Sequence, residues 1–534
     1  VEITIDPVTR LEGHHGVKIN VDGGVITDAK ALALMFRGFE RLLVGRDIRD
    51  APIITQRICG VCHNDHRLAS LMAIENAAGI ADEWNVGLPP AAIAFRNLVA
   101  ALQYVYDHPV WVYVLAGPDF SDSPHGTGLT RLNPILGKGV REAVWAQREL
   151  HKAMALIGGK VPHMMTPAPG GMTLEIDEKI IAQLVGIISD VKKWAVGVGI
   201  GQPSATNAEY VLDEVLRQLE EIKAGKRKEF EPKEGMGNAL FDMVAMIAVA
   251  HDMGLNEQGV WEDSKMLAYG FLPDPDTGEL YFPPGFFNGR ELERFDYRRI
   301  SEDTTYAWYK DETQTGYVGT DLPPEPYYGK PNAYTWGKAP RYDGWPAEVG
   351  PLPRLVAMYF KKSKELGDPL GLRKTFCGSP TASTALSRMI ARIQEELIMI
   401  DYLENLLLQL KDYAGKKTAI EFPKDVTGEG VGLREAPRGA LGHWVVAERG
   451  KIKRYQAVVP TTWNVSPKDS KGQHGPLESA LIGTPVSDPS NPWEVVRVIH
   501  SFDLCLACTV HVFTKEGKKT SITLDACSIN FLRW

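Results

Sequence analysis

The chain has 534 residues, of which 44% are hydrophobic and 24% charged, the composition of an ordinary globular protein rather than a disordered, fibrous or coiled-coil one. Its 59 basic and 67 acidic side chains give a formal charge of -8 without any basic block, which argues against a broad nucleic-acid or anionic-lipid surface. No run reaches the ~18 uninterrupted apolar residues of a membrane-spanning helix; the most apolar stretch, Ala239 to Ala250, is short and contains Asp242.

The first residues, V-E-I-T-I-D-P, alternate as a strand does and lack the basic start and apolar run of a secretory signal. The location expected from this is cytoplasmic, or at a membrane only through partner chains. Val17 to Val21 and Val25 to Leu32 flank Asp22-Gly23-Gly24, which predicts a β-hairpin. Beyond Cys62 the pattern turns helical. Apolar residues recur at helical spacing near 66 to 79, 90 to 116, 140 to 157, 178 to 198, 209 to 224 and 236 to 253, between Gly and Pro breaks. From about 257 to 350, Pro, Gly, Tyr and Trp replace that periodicity and predict irregular structure with short strands. Helix returns at about 351 to 366 and, with a wide apolar stripe, at 381 to 413. Alternation resumes from 416 and leads to V-V-R-V-I-H-S-F-D. There is no internal repeat and no low-complexity linker.

The predicted fold is therefore α+β: a large central helical bundle with peripheral β-hairpins and a mixed α/β C-terminal segment. It is read as one domain over 1–534. Its parts are a β-rich segment (1–65), the bundle (66–256), a loop-rich insertion (257–350), helices returning to the bundle (351–415), an α/β segment (416–511) and a tail (512–534).

Six cysteines are too few for a disulfide framework. Four of them form two C-x-x-C pairs, Cys59 with Cys62 and Cys505 with Cys508, separated by 505 minus 62, or 443, residues. Each pair puts two thiolates within reach of one metal, and together they supply the four sulfurs expected for zinc, iron-sulfur or another thiophilic metal. Structural zinc pairs sit in local knuckles, whereas this separation would tie both ends of a large bundle to one point. A histidine follows each pair, His66 and His511. Spacing alone leaves structural zinc, a redox pair and a reactive metal centre open. Cys377 and Cys527 stand alone, and Cys377 reads as a small buried hydrophobe.

The residues around the pairs form several motifs in order: D-P-V-T-R-L-E-G-H (Asp6 to His14), F-R-G-F-E (Phe36 to Glu40), R-I-C-G-V-C-H-N-D-H (Arg57 to His66), Y-D-H (Tyr106 to His108), A-P-R-G-A-L-G-H-W (Ala436 to Trp444), V-V-P-T-T-W (Val458 to Trp463) and S-F-D-L-C-L-A-C-T-V-H (Ser501 to His511). Through them the chain resembles, nearly end to end, the large subunit of uptake-type nickel-iron hydrogenases. The resemblance implies heterolytic oxidation of dihydrogen to protons and electrons. It implies Cys59 and Cys505 as terminal nickel thiolates, and Cys62 and Cys508 bridging nickel to an iron that carries carbon monoxide and cyanide. Glu12 becomes the first proton acceptor beyond the thiolates. Arg438 lies over the open metal position, with Asp107, Asp503 and Pro437 completing the canopy. Glu40, His511 and the carbonyl of Ala457 are implied as magnesium ligands, and Thr461 as a hydrogen-bond partner of iron-bound cyanide. The alternative for Glu12 is a salt bridge to Arg10. His66 reads equally as a donor to a bridging sulfur or a satisfied core histidine, and Val61 as gas-path lining or simple packing.

The same resemblance implies a small-subunit partner carrying iron-sulfur clusters, quinone as a candidate downstream acceptor, and a higher oligomer of large–small heterodimers. A hydrogen sensor with the same metal site is the alternative function, and a structural zinc protein the bland one. The chain departs from the family in having Thr461 where serine is frequent and Leu504 where proline is usual. It also continues past His511 with residues that most members lose by proteolysis, so 512–534 is an unprocessed extension or a retained tail, with a hairpin predicted around Glu516-Gly517.

Overall fold

Three antiparallel strands open the chain: Glu2–Ile5, His15–Asp22 and Val25–Ala33, paired in sequence order. The computed structural model describes residues 1–175, 177–314 and 316–508, and in it the second and third strands form the expected hairpin. Gly23 and Gly24 take φ of 57° and 80°, the left-handed conformation that a two-residue hairpin turn requires. Val17, Ile19 and Val21 are buried while Asn20 and Asp22 are exposed, the period of two that fixes which face meets the core.

The predicted helices form at His63–Ala77, Pro90–Val110, Lys138–Gly158, Glu178–Val196, Ala208–Lys223, Asn238–Asp252 and Ala385–Gln409. Pro90–Val110 and Ala385–Gln409 are buried along nearly their whole length and pack on each other, so they form the axis of the bundle. Pro109 removes one rung of the hydrogen-bond ladder, and the chain continues as a π-helical stretch, Trp111–Ala116, directly after Asp107 and His108.

Between 257 and 350 lie short ribbons, among them Phe271–Pro273 with Leu280–Phe282 and Ile300–Asp303 with Ala339–Tyr342. They surround an aromatic cluster of Tyr269, Phe286, Phe295 and Tyr342 that joins Trp444 and Trp463. Those tryptophans belong to the C-terminal half, where Gly428–Ala436, Gly439–Glu448 and Lys451–Val458 make an antiparallel sheet. This sheet lies directly on the His63–Ala77 helix. A Cβ on Gly430 would stand 2.1 Å from the carbonyl oxygen of Ala73 and 2.3 Å from the nitrogen of Ala77. Glycine on the strand and alanine on the helix let the two backbones touch. The contact brings the first cysteine pair, just before that helix, against the sheet that carries Arg438.

Some elements differ from the sequence pattern. Two short helices, Phe39–Leu43 and Ala51–Thr55, occupy part of the segment expected to be β-rich; five residues are too few to show periodicity. The helix expected at 351 to 366 divides into Pro351–Lys361 and Lys364–Gly367. The long one begins at Ala385, where Thr384 and Ser387 form a reciprocal cap. V-V-R-V-I-H-S lies in the helix Trp493–Ser501. No helix among the described residues is long and apolar enough to cross a membrane. The Cys508 side chain, His511, Cys527 and the predicted tail hairpin lie outside the described residues.

Candidate metal centre

The sulfurs of Cys59, Cys62 and Cys505 all lie within 4.8 Å of one another and are buried. Cys59 Sγ is 3.4 Å from Cys505 Sγ across 446 residues of chain. The N–H groups of Val61 and Cys62 both donate to Cys59 Sγ at 3.2 Å. Cys62 occupies the N-cap position of the His63–Ala77 helix, with no capping bond from its side chain. The two backbone N–H groups aimed at the Cys59 sulfur suit it to act as a ligand. Three soft donors converging in a dry site fit a thiophilic metal such as nickel or iron.

Three contacts fix the cysteine loops: Arg37 ties the two together, and the other two hold the Cys505 loop. Arg37 donates to the carbonyl oxygens of Arg57 (3.3 Å) and Ile58 in the first loop and of Ala507 (2.7 Å) in the second. The Cys505 N–H donates to the Thr461 hydroxyl at 2.9 Å, which leaves that hydroxyl's own hydrogen to give elsewhere. The third contact is Glu12, whose backbone bridges Cys505 and whose carbonyl accepts from Leu506 N–H at 2.6 Å. Gly13 follows with φ 86°, and a Cβ there would lie 2.4 Å from the nitrogen of Ala507. The Glu12 carboxyl is half-buried. Burial and the Cys59 charge push its pKa up, against Arg438 and Arg37. Arg10, considered above as its ion-pair partner, instead pairs with Asp119.

Arg438 occupies the two-residue turn, Pro437-Arg438, between the first two strands of the C-terminal sheet. Its guanidinium donates to Asp107 Oδ2 at 3.1 Å and lies 3.1 Å from Asp503 Oδ1. Burial opposes its charge, but Asp107, Asp503, Cys505 and Cys62 hold it protonated. Burial pushes Asp107 up to about 7 despite Arg438. Asp503 has φ 55°; Leu504 after it imposes none of the steric restriction that a proline would.

The turn is fixed from behind by Arg354, which the sequence reading missed. Fully buried, it donates to the carbonyls of Ala436 (3.0 Å) and Pro437 (2.9 Å), to Glu435 (2.8 Å) and to Glu395 (2.6 and 2.7 Å). No local signal marks it, because its partners lie 41 to 83 residues away in sequence.

Glu40 sits in the first turn of its short helix, accepts from Ala457 N–H at 3.2 Å and lies 3.4 Å from Lys338 Nζ. Lys338 also pairs with Glu302 at 2.7 Å. Burial pushes Glu302 up to about 7, against Lys338 and with Glu40 adding to it. Together with Arg37 and Ala507 these groups line a cavity of about 50 Å³. Two carboxyl groups beside room for water fit a hard cation with oxygen ligands. Sequence reading placed Glu40 and Ala457 here but not Glu302 or Lys338.

His66 Nδ1 is 3.2 Å from His443 Nε2, and His443 Nδ1 is 2.6 Å from the Tyr455 hydroxyl, which donates to Ser70 at 2.8 Å. Burial pushes His66 down to about 4 and His443 well below its ordinary value, so both are neutral. Val61 is half-buried against the cysteine cluster. Cys377 is only half-buried, accepts from the Thr384 hydroxyl at 3.9 Å, and has its thiol pushed up to about 11 by burial.

Residues 37–127 and 140–511 match the protein family described as "Nickel-dependent hydrogenase", and residues 2–31 match the one described as "HoxL-like". The chain is 30% identical over 600 residues to the Hydrogenase-2 large chain of Escherichia coli K12, covering 97% of this chain and 98% of that one. It is 32% identical over 593 residues to the uptake hydrogenase large subunit of Rhizobium leguminosarum bv. viciae, covering 97% and 96%. Among solved structures, the reduced Ni-Fe-Se hydrogenase from D. vulgaris Hildenborough is similar with a TM-score of 0.77 and 31% identity, over 96% of this chain and 100% of that one. With two family segments, full-length relatives and a shared fold all in agreement, the chain belongs to the nickel-dependent hydrogenase family.

Proposed function

We propose that this chain is the large, catalytic subunit of a nickel-iron hydrogenase that oxidises dihydrogen, with Cys59, Cys62, Cys505 and Cys508 holding the bimetallic centre. The observation that carries the reading is the meeting of three buried sulfurs from opposite ends of the chain within 4.8 Å. When bound, the nickel-iron centre with its carbon monoxide and cyanide ligands supplies the cleavage of dihydrogen. The chain's own residues then do the rest. Arg438, held charged in a dry site between Asp107 and Asp503, presents a fixed guanidinium to the space beside the sulfurs, where a preorganised charge acts strongly. Glu12, whose carboxyl pKa is raised by burial, takes the proton from a terminal cysteine and passes it outward. Thr461 has a hydroxyl hydrogen to offer an iron-bound cyanide, while Glu40, with Ala457 and His511, would hold magnesium.

Electrons leave through an iron-sulfur small subunit. The relatives are named as large subunits, which implies such a partner, and the chain's remaining cysteines, Cys377 and Cys527, cannot build a cluster. One relative, from Wolinella succinogenes, is named quinone-reactive, which supports quinone as the final acceptor and a membrane location reached through partners. The sensing alternative is not favoured, since two of the relatives, from Rhizobium leguminosarum bv. viciae and Bradyrhizobium diazoefficiens, are named uptake hydrogenase large subunits.

Metal analysis and infrared spectroscopy of the purified complex test the reading. Nickel and iron at one each per large chain, with bands from metal-bound diatomics, are expected, and Cys505→Ser should lose nickel and all turnover. Zinc in their place, without such bands, would sink it.

A further inference from the structure

Asp119 is fully buried at the end of a single 3-10 turn, Gly117–Asp119, that follows the π-helical stretch. It is gripped from two sides. Arg10 donates one Nη to its carboxylate and the other to the Leu115 carbonyl at 2.5 Å. His500 reaches the other carboxylate oxygen through Nδ1 at 2.5 Å, and its Nε2 lies 2.9 Å from the Thr9 carbonyl oxygen. Burial raises the Asp119 pKa, but the His500 and Arg10 charges and hydrogen bonds outweigh it and hold the carboxyl at about 2. His500 therefore meets an oxygen at each ring nitrogen, the Asp119 carboxylate on one side and the Thr9 carbonyl on the other, so the ring spans the two segments.

The placement gives this cluster a use. Thr9 and Arg10 stand three and two residues before Glu12, and His500 stands five before Cys505, so Asp119 fastens both segments to a third element. Those two segments are the ones that meet in the Glu12–Cys505 bridge. Trp111 adds a hydrogen bond to the His500 carbonyl at 2.9 Å. The other charged or titratable groups around the ring are Arg497 on its own helix, His15 on the second strand and His125 beside Arg497.

We infer that Asp119, gripped by Arg10 and His500, is a positioning residue that holds Glu12 in register with Cys505 for proton transfer. This rests on the relay role proposed for Glu12. The step served is a single proton hop, in which the S–H bond of Cys505 breaks as the O–H bond of Glu12 forms. A misplacement of about 1 Å costs such a hop on the order of 100-fold.

The test measures exchange of deuterium gas with solvent protons, and dye-coupled turnover, in the purified holoenzyme. Variants are Glu12→Gln, Asp119→Asn, His500→Gln, Asp119→Glu and the pair Glu12→Gln with Asp119→Asn, each compared at full nickel and iron content. Asp119→Asn and His500→Gln should slow exchange about 10- to 100-fold with infrared bands unshifted. Asp119→Glu, which keeps the charge, should recover part of the loss, and the paired variant should be no slower than Glu12→Gln alone. A parent rate for Glu12→Gln would remove the relay reading and this inference with it. A slow Glu12→Gln beside parent-like Asp119→Asn and His500→Gln would overturn the inference alone. So would losses that multiply in the paired variant, or failure of both clamp variants to take up metal, because Asp119 would then act through something other than Glu12.

Discussion

Arg354 is one guanidinium set between two buried carboxyls, and it cannot neutralise both. Burial pushes Glu395 up, but Arg354 and His108 outweigh this and hold it at about 2, whereas burial prevails at Glu435, which is pushed up to about 7. The folded chain thus binds a proton at Glu435 between its ordinary 4.5 and about 7 where the unfolded chain does not. That contribution to stability is full below about pH 4.5 and is lost as pH rises through about 7, at up to about 1.4 kcal/mol per unit. Glu435→Gln has no such titration. Whatever its cost at low pH, the stability gap between parent and variant should narrow as pH climbs through this window in denaturant titrations. A gap that stays constant would mean that Glu435 is ionised throughout. Arg354 and Asp119 were illegible in the sequence for one physical reason: a buried charge is recognised by partners that the fold supplies from far along the chain. Glu12, Arg438 and the cysteines were legible because each sits in a local motif.

At the scale of elements, length decided what could be read. Helices such as Pro90–Val110 repeat their apolar face over several turns, and the hairpin at Gly23-Gly24 carries its own turn chemistry. The five-residue helices and the π-helical stretch after Pro109 leave no comparable pattern. In the G-E-G-V-G start of the C-terminal sheet, the glycines have meaning only against the alanines of another element. Gly430→Ala should therefore destabilise the protein by about 3 kcal/mol, the upper end of overpacking costs, and lower its metal content. Gly186→Ala, in the Glu178–Val196 helix with nothing within 4 Å of the added carbon, should be neutral or stabilising by about 1 kcal/mol. Equal thermal midpoints for the two variants would show that the strand and helix have room to separate.

For the molecule as a whole, the three described sulfurs are buried and the sequence has only two cysteines outside the pairs, so the proposed function makes electron exit a property of the assembly. The large chain purified without its small subunit should fail to reduce a bulky dye with dihydrogen, and adding the small subunit should restore the reaction. Full dye reduction by the large chain alone would refute that dependence. The distance between the two halves of the site also has a meaning in time. Cys59 and Cys505 are 446 residues apart, and at about 5–20 residues per second the first pair leaves the ribosome on the order of 20 to 90 seconds before the second is made. Until then the proposed four-sulfur site does not exist, and a metal arriving early could find only two of its ligands, a half-site with little power to choose among ions. The separation therefore acts as a clock, deferring the commitment to a metal until Cys505 and Cys508 have been translated.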